Sequence, residues 1–160
     1  LILKFIFGNL REIYAFSIQI ITLEFRIRIE SMCNRKNIGA LILAAGKGTR
    51  MNVNGPKVLQ TILKEPMLAY VVKTLEKVAG DNIWPIVGYQ ANKVEDAFPE
   101  FKARFILQKE QLGTGHALQI AWQTVLTHQL DWVLVVNGDT PLIPEEKLDE
   151  LIRACFSHEA

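Results

Sequence analysis

The residues best suited to chemistry lie in Leu41-Ile-Leu-Ala-Ala-Gly-Lys-Gly-Thr-Arg-Met51 and its continuation to Pro56-Lys57. Backbone without side chains at Gly46 and Gly48 can come close to a ligand. The N–H groups of such a turn point at anions. Lys47, Arg50 and Lys57 add positive charge around it. Arg50 offers a forked guanidinium for bidentate contact, and Lys57 a point charge. An anion with several oxygens, such as a polyphosphate, suits this set. Two better-known phosphate loops do not fit. The P-loop needs four residues between its first Gly and Gly-Lys-Ser/Thr, whereas Gly46 and Gly48 flank a single residue and Thr49 comes next. The dinucleotide fingerprint needs a Gly or Ala three residues after its second Gly, and Met51 stands there. Residues 52–56 also read as a turn, not as the start of a helix. A Gly-x-Gly pair alone is most often a plain turn. The longer string carries the specificity.

Two later strings have similar character: Gln108-Lys-Glu-Gln-Leu-Gly-Thr-Gly-His-Ala117 and Asn137-Gly-Asp-Thr-Pro-Leu-Ile143. Asp139 ends an apolar run. Its carboxylate is either a Mg²⁺ ligand, since that ion takes one or two carboxylates plus substrate phosphates, or a cap of the turn before the last helix. Gln108 is a side-chain amide at a strand end. His116 reads as a residue that packs or caps early in a helix; His128 and His158 read as surface residues. Cys33 and Cys155 have no metal-ligand spacing and make no disulfide framework.

In order and separation, these strings resemble the sugar-phosphate nucleotidyltransferases of the MobA-like superfamily. In detail they resemble the uridylyltransferase domain of the bacterial bifunctional N-acetylglucosamine-1-phosphate uridylyltransferases (GlmU). The resemblance runs from about Ile38 to the end. It implies a nucleotide site of Leu43, Ala44, Ala45, Gly46, Gly48, Lys57, Gln108, Gly113, Thr114, Asn137, Gly138 and Asp139. Within it, Arg50 and Lys57 carry transition-state charge, Gln108, Gly113 and Thr114 read uracil, and Asp139 holds Mg²⁺. A side-chain amide and a glycine N–H suit uracil, whose edge both donates and accepts. The implied substrates are UTP and N-acetylglucosamine-1-phosphate, in a cytoplasmic step. Related cytidylyl- and guanylyltransferases share the first string, but Pro-Lys-Val-Leu and Gln-Leu-Gly-Thr-Gly-His favour the uridylyl enzyme. In the family, the sugar contacts, a second metal ligand and the trimer-forming β-helix come from parts with no match here. A second reading is therefore a partial chain that binds nucleotide without turning it over. A dinucleotide-binding oxidoreductase is disfavoured by Met51.

The chain has 160 residues, 49% hydrophobic and 22% charged, with a net charge of +1. That balance suits one α/β domain and gives no argument for a nucleic-acid surface. No uncharged apolar run reaches the ~18 residues of a membrane span. Residues 1–37 form an N-terminal extension with three readings: an added strand, suggested by the alternation of Leu23 to Glu30; a disordered or aggregation-prone extension; or residues upstream of a natural start at Met32. The third is favoured. Residues 38–160 form the nucleotide-binding part of the domain.

Strands are expected at Ile38–Ala45, Ile83–Gly88, Arg104–Gln108 and Trp132–Val136, with an irregularity at Pro85, which cannot donate to a ladder. Helices are expected at Pro66–Ala79, Thr114–Leu126 and from Pro144 onward. The first should bury Met67, Leu68, Val71, Val72, Leu75, Val78 and Ala79 and stop at Gly80. The last should bury Leu148, Leu151, Ile152 and Cys155. Strands alternating with helices predict a mostly parallel, Rossmann-like sheet with helices on both faces, of the nucleotide-diphospho-sugar transferase type and incomplete at its C-terminus. In such sheets ligands bind beyond the carboxyl ends of the strands. All three strings come directly after strands, which places them around one crevice.

Overall fold

A computed structural model of the chain describes residues 2–4, 38–48, 55–101 and 104–157. Its elements are β1 (Ile2–Lys4), β2 (Ile38–Ala44), the short hairpin strands β3 (Thr61–Ile62) and β4 (Glu65–Pro66), α1 (Met67–Ala79), β5 (Ile83–Val87), α2 (Ala91–Ala97), β6 (Ile106–Leu107), α3 (Thr114–Thr127), β7 (Trp132–Asn137) and α4 (Glu145–Ser157). Five strands form one sheet in the order β1-β7-β2-β5-β6. The pairs β7–β2, β2–β5 and β5–β6 are parallel, and β1 is an antiparallel edge on β7. The mostly parallel sheet expected from the sequence is what forms. Of residues 1–37 only Ile2–Lys4 is described, so the alternating stretch at 23–30, Met32 and Cys33 lie outside the described residues.

β2 is the centre of the sheet, and its composition explains why. A strand paired on both edges and covered on both faces needs apolar side chains throughout. Ile38, Ala40, Ile42 and Ala44 join one core, with residues of α1, α2 and α4; Leu41 and Ala45 join the other, with residues of α3. The period of two along a strand divides the residues between the cores. A Cβ at Gly39 would lie 2.3 Å from a methyl of Leu130, so the strand is bare where the chain entering β7 crosses it.

α1 buries the seven residues expected of its stripe, and Gly80 ends it at a positive φ of 57°. α3 buries Ala117, Ala121 and Val125. α4 departs from expectation. Leu148 and Ile152 are buried and Cys155 packs at the core's edge, but Leu151 is 41% exposed. Leu151 lies at the margin of the stripe, whereas Phe156, whose ring packs edge-on against Trp132 at 4.6 Å, joins the edge of the core.

The irregularity expected at Pro85 does not occur. Pro85 sits in register opposite Ile42 in an unbroken strand. Alternate residues of a strand present their N–H and C=O to opposite neighbours. Asn82 bonds toward β2 and Val87 toward β6, so Pro85 faces the β6 side. There β6 begins only at Ile106, opposite Ile86. The missing N–H therefore has no strand to meet. The third strand is also shorter than expected, two residues instead of five. Among the described residues, no helix is long and apolar enough to cross a membrane.

Leu75 is 1% exposed beneath α1. Leu75→Ala should lower the unfolding free energy by about 3 kcal/mol. Leu151→Ala should change it by less than about 0.5 kcal/mol. Urea denaturation followed by circular dichroism checks both. A Leu151 effect as large as that of Leu75 would contradict the packing of α4.

Candidate active site

Three parallel strands end at one level. Leu43 of β2 pairs with Ile86 on one side and Asn137 on the other. The segments leaving the three strands therefore gather at one edge of the sheet. Backbone bonds tie these ends together: Gly138 N–H to Leu43 O at 3.0 Å, Tyr89 N–H to Ala45 O at 3.0 Å and Gln108 N–H to Val87 O at 2.7 Å. They surround a cleft of about 450 Å³. Of the residues singled out from the sequence, Leu43, Ala44, Ala45, Gly46, Gly48, Lys57, Gln108, Gly113, Thr114, Asn137 and Asp139 line it. Gly138 lies behind the wall, where a Cβ would sit 3.0 Å from Val58 and 3.3 Å from Ile42. Arg50 lies outside the described residues.

At the phosphate-suited end, Gly48 holds φ +64°, and a Cβ there would lie 2.8 Å from Cβ of Lys57. The glycine lets the loop close over the short 3-10 turn Lys57–Leu59, which buried Val58 anchors. Lys57 thereby reaches across the cleft. Its Nζ donates to Oδ2 of Asp139 at 2.5 Å, with each side chain about one-third exposed. Lys47 takes a different path: its ammonium lies 5.5 Å from the ring centre of Tyr89. Among the described residues no group of three acidic, His or Cys side chains could hold a metal alone. Asp139 provides one hard oxygen donor at an open cleft. That single donor fits a hard divalent cation that would take its remaining ligands from water and substrate phosphates.

The opposite wall presents a side-chain amide. Gln108 is 3% exposed. Its Nε2 donates to the carbonyl of Gly113 at 3.1 Å. Gly113 has φ +97° and immediately precedes α3, which begins at Thr114. The first N–H groups of a helix have no partner within it and favour negative groups. The cleft thus offers an amide, a helix N-terminus, a bare glycine loop and an ammonium–carboxylate pair.

A family model described as the MobA-like NTP transferase domain matches residues 40–160. The chain belongs to this family. Among curated proteins it is similar to the bifunctional protein GlmU of Nitratidesulfovibrio vulgaris, 56% identical over 115 residues, which is 72% of this chain and 25% of that one. The chain therefore spans about a quarter of the length of the curated relatives it matches. Among solved structures it resembles HddC from Yersinia pseudotuberculosis, complexed with GMP-PN, at TM-score 0.54 and 25% identity over 72% of this chain and 53% of the other. It also resembles CMP:2-keto-3-deoxy-manno-octonic acid synthetase, complexed with CTP, at TM-score 0.59, 22% identity and 78% and 49% coverage. The latter shows the fold alone.

Four further residues at the cleft of this transferase domain were not among those expected from the sequence. Val58, Gln111 and Ala117 also line the cleft. Gly88 is the fourth: a Cβ there would lie 2.9 Å from each of Ala45 Cβ, Gln108 O and Gln111 Nε2. Its absence lets the first two strings meet. A glycine ending a buried strand beside a strand with a motif is the signal that could have found it. Gln111 Nε2 donates to Gln108 O at 3.1 Å, which braces the backbone of the amide-bearing residue.

In the transferase domain, Gly48→Ala forces a side chain into left-handed backbone, at a cost of about 1–2 kcal/mol, and pushes on Lys57. Nucleoside triphosphate affinity should fall about tenfold while the fold survives. Calorimetric titration beside a thermal melt checks this. Unchanged affinity would detach Gly48 from the site.

Proposed function

We propose that this domain transfers the uridylyl group of UTP to N-acetylglucosamine-1-phosphate, with Mg²⁺, giving UDP-N-acetylglucosamine and pyrophosphate. The observation that carries the reading is that one cleft holds both a buried, braced amide and the Lys57–Asp139 pair. The first suits the edge of a pyrimidine and the second a triphosphate with its metal. The likeness to GlmU and the three motif strings support this choice among nucleotidyltransferases. The same reading carries a cytoplasmic location and no nucleic-acid partner. It leaves trimer formation to parts of the longer relatives outside the matched region.

In this reaction a phosphate oxygen of the sugar phosphate attacks the α-phosphorus of UTP. The new P–O bond forms as the bond from the α-phosphorus to the bridging oxygen breaks, and pyrophosphate leaves with the electron pair. No protein nucleophile is needed, so catalysis is positioning and charge stabilisation. Backbone at Gly46 and Gly48 lets the phosphates come close. Lys57, released from Asp139, puts its ammonium on the phosphates, and Arg50 is assigned to the departing pyrophosphate. Asp139, released in turn, would hold Mg²⁺, which when bound draws negative charge from the phosphate oxygens. Gln108 and Gly113 orient the uracil.

A second reading is nucleotide binding without turnover. Titration calorimetry with UTP, CTP and GTP, with and without Mg²⁺, tests the base and metal assignment. The expected result is Mg²⁺-dependent binding that prefers UTP. Equal binding of the three nucleotides, or none, would overturn it. Pyrophosphate release on adding N-acetylglucosamine-1-phosphate separates transfer from binding alone. Where release occurs, Lys57→Ala should slow it by about 10²–10³-fold, the scale of removing one transition-state charge contact.

A further inference from the structure

We infer that His116 is a positioning residue that fixes the amide of Gln108 so that its oxygen, and not its nitrogen, faces the base. The inference rests on the uridylyl reading and extends it to the origin of base choice.

Gln108 Nε2 lies 3.1 Å from the carbonyl oxygen of Gly113. A carbonyl only accepts, so the nitrogen must be on that side. One of its two hydrogens is thereby used. The same Nε2 lies 3.2 Å from Nδ1 of His116. His116 Nδ1 also lies 3.0 Å from the carbonyl of Glu110. One ring nitrogen cannot serve both neighbours. With a hydrogen it donates to Glu110 O; with a lone pair it accepts from Gln108.

The surroundings decide between these states. Glu110 O already accepts the backbone N–H of Leu112 at 2.9 Å. The second hydrogen of Gln108 Nε2, on a residue 3% exposed, has no other acceptor within bonding distance among the described residues. An unpaired buried donor costs more than an extra bond to an already satisfied carbonyl returns. The lone-pair state gives the buried Gln108 donor its acceptor, at the cost of an acceptor–acceptor approach of 3.0 Å to Glu110 O, and places the ring proton on Nε2.

The consequence lies at the other end of the amide. With both hydrogens engaged on the wall, Gln108 Oε1 is left as the free group. It is not among the fully buried atoms lacking a partner, where Gln90 Oε1 stands alone among the described residues, and Gln108 lines the cleft. The cleft is thus offered an acceptor. Uracil presents N3–H to such an acceptor. Cytosine presents a lone pair at N3 and is repelled. Without His116 the amide keeps one bond, to Gly113, and can turn to offer a donor instead. His116 reads no base itself; it acts through Gln108.

Two measurements test the assignment. On the unmodified chain, long-range proton–nitrogen NMR correlation reports which ring nitrogen of His116 carries the proton. The expected pattern is a lone pair at Nδ1; a protonated Nδ1 would overturn the inference. Calorimetric titration with UTP–Mg²⁺ and CTP–Mg²⁺ then compares His116→Phe, which keeps a ring without an acceptor, with His116→Asn, whose Oδ1 takes the place of Nδ1. The ratio of UTP to CTP affinity should fall about tenfold in His116→Phe, the scale of one hydrogen bond to a site group, and recover in His116→Asn. A general packing role would weaken both nucleotides alike and leave the ratio unchanged, and that result would overturn the inference alone. No preference for UTP in the unmodified chain would overturn the uridylyl reading and the role of His116 with it.

Discussion

Much of this structure depends on the in-register parallel pairing of β2 with β5 and β7. Because Leu43 faces both Ile86 and Asn137, the strands stop together, and every residue just beyond them is delivered to the same plane. Parallel strands carry no short connections, so the helices that return the chain cover the two faces and leave this edge open. The glycines found there serve the same constraint. Gly88 and Gly138 come directly after their strands, and at either one a Cβ would press on the neighbouring chain ends.

Within that frame the two ends of the cleft work by different physics. The Lys57 end is electrostatic and partly open to water, so it suits groups whose charge grows or moves. The Gln108 end is hydrogen-bonded, buried and braced by Gln111 and His116. Burial makes a misplaced donor costly, which is what discrimination between similar bases requires. Between them stand the bare loop at Gly46 and the start of α3, where backbone rather than side chains faces the cleft. On the proposed reading, one sheet edge combines tolerance for moving charge with intolerance of the wrong base.

How legible all this was in the sequence varied with the local physics. β2 and β7 could be read because burial on both faces demands a continuous apolar run, and α1 and α3 because burial on one face imposes a period near four. In α1 the seven expected side chains are the seven buried ones. The cleft was legible because its residues come just after apolar runs in the chain. Features set by context were not. The hairpin of β3 and β4 turns through Leu63 and Lys64 at φ 50° and 75°. Such turns usually signal themselves with Asn or Gly, and these residues hide it. α2 has seven residues and begins after Gln90 at φ 50°, too short for a period to emerge. Pro85 misled because whether an N–H is needed depends on where the neighbouring strand starts. Leu151 misled because it lies at the margin of its helix's stripe, where the period alone does not decide burial. The contacts of Gly88 and His116 could not be read without knowing which segments touch.

The Lys57–Asp139 pair joins residues 82 positions apart. Before nucleotide arrives it acts as a staple, fastening the turn before the first hairpin to the end of β7. On the proposed reading, a triphosphate that takes Lys57 withdraws one half of that staple and strands the other. Asp139 would then be the residue to hold a divalent cation, which would supply the positive charge that the ammonium no longer gives it. The two side chains thus serve each other in the free chain and the ligand in the loaded one, and the link between the turn and the strand end would pass from a side-chain pair to the bound nucleotide.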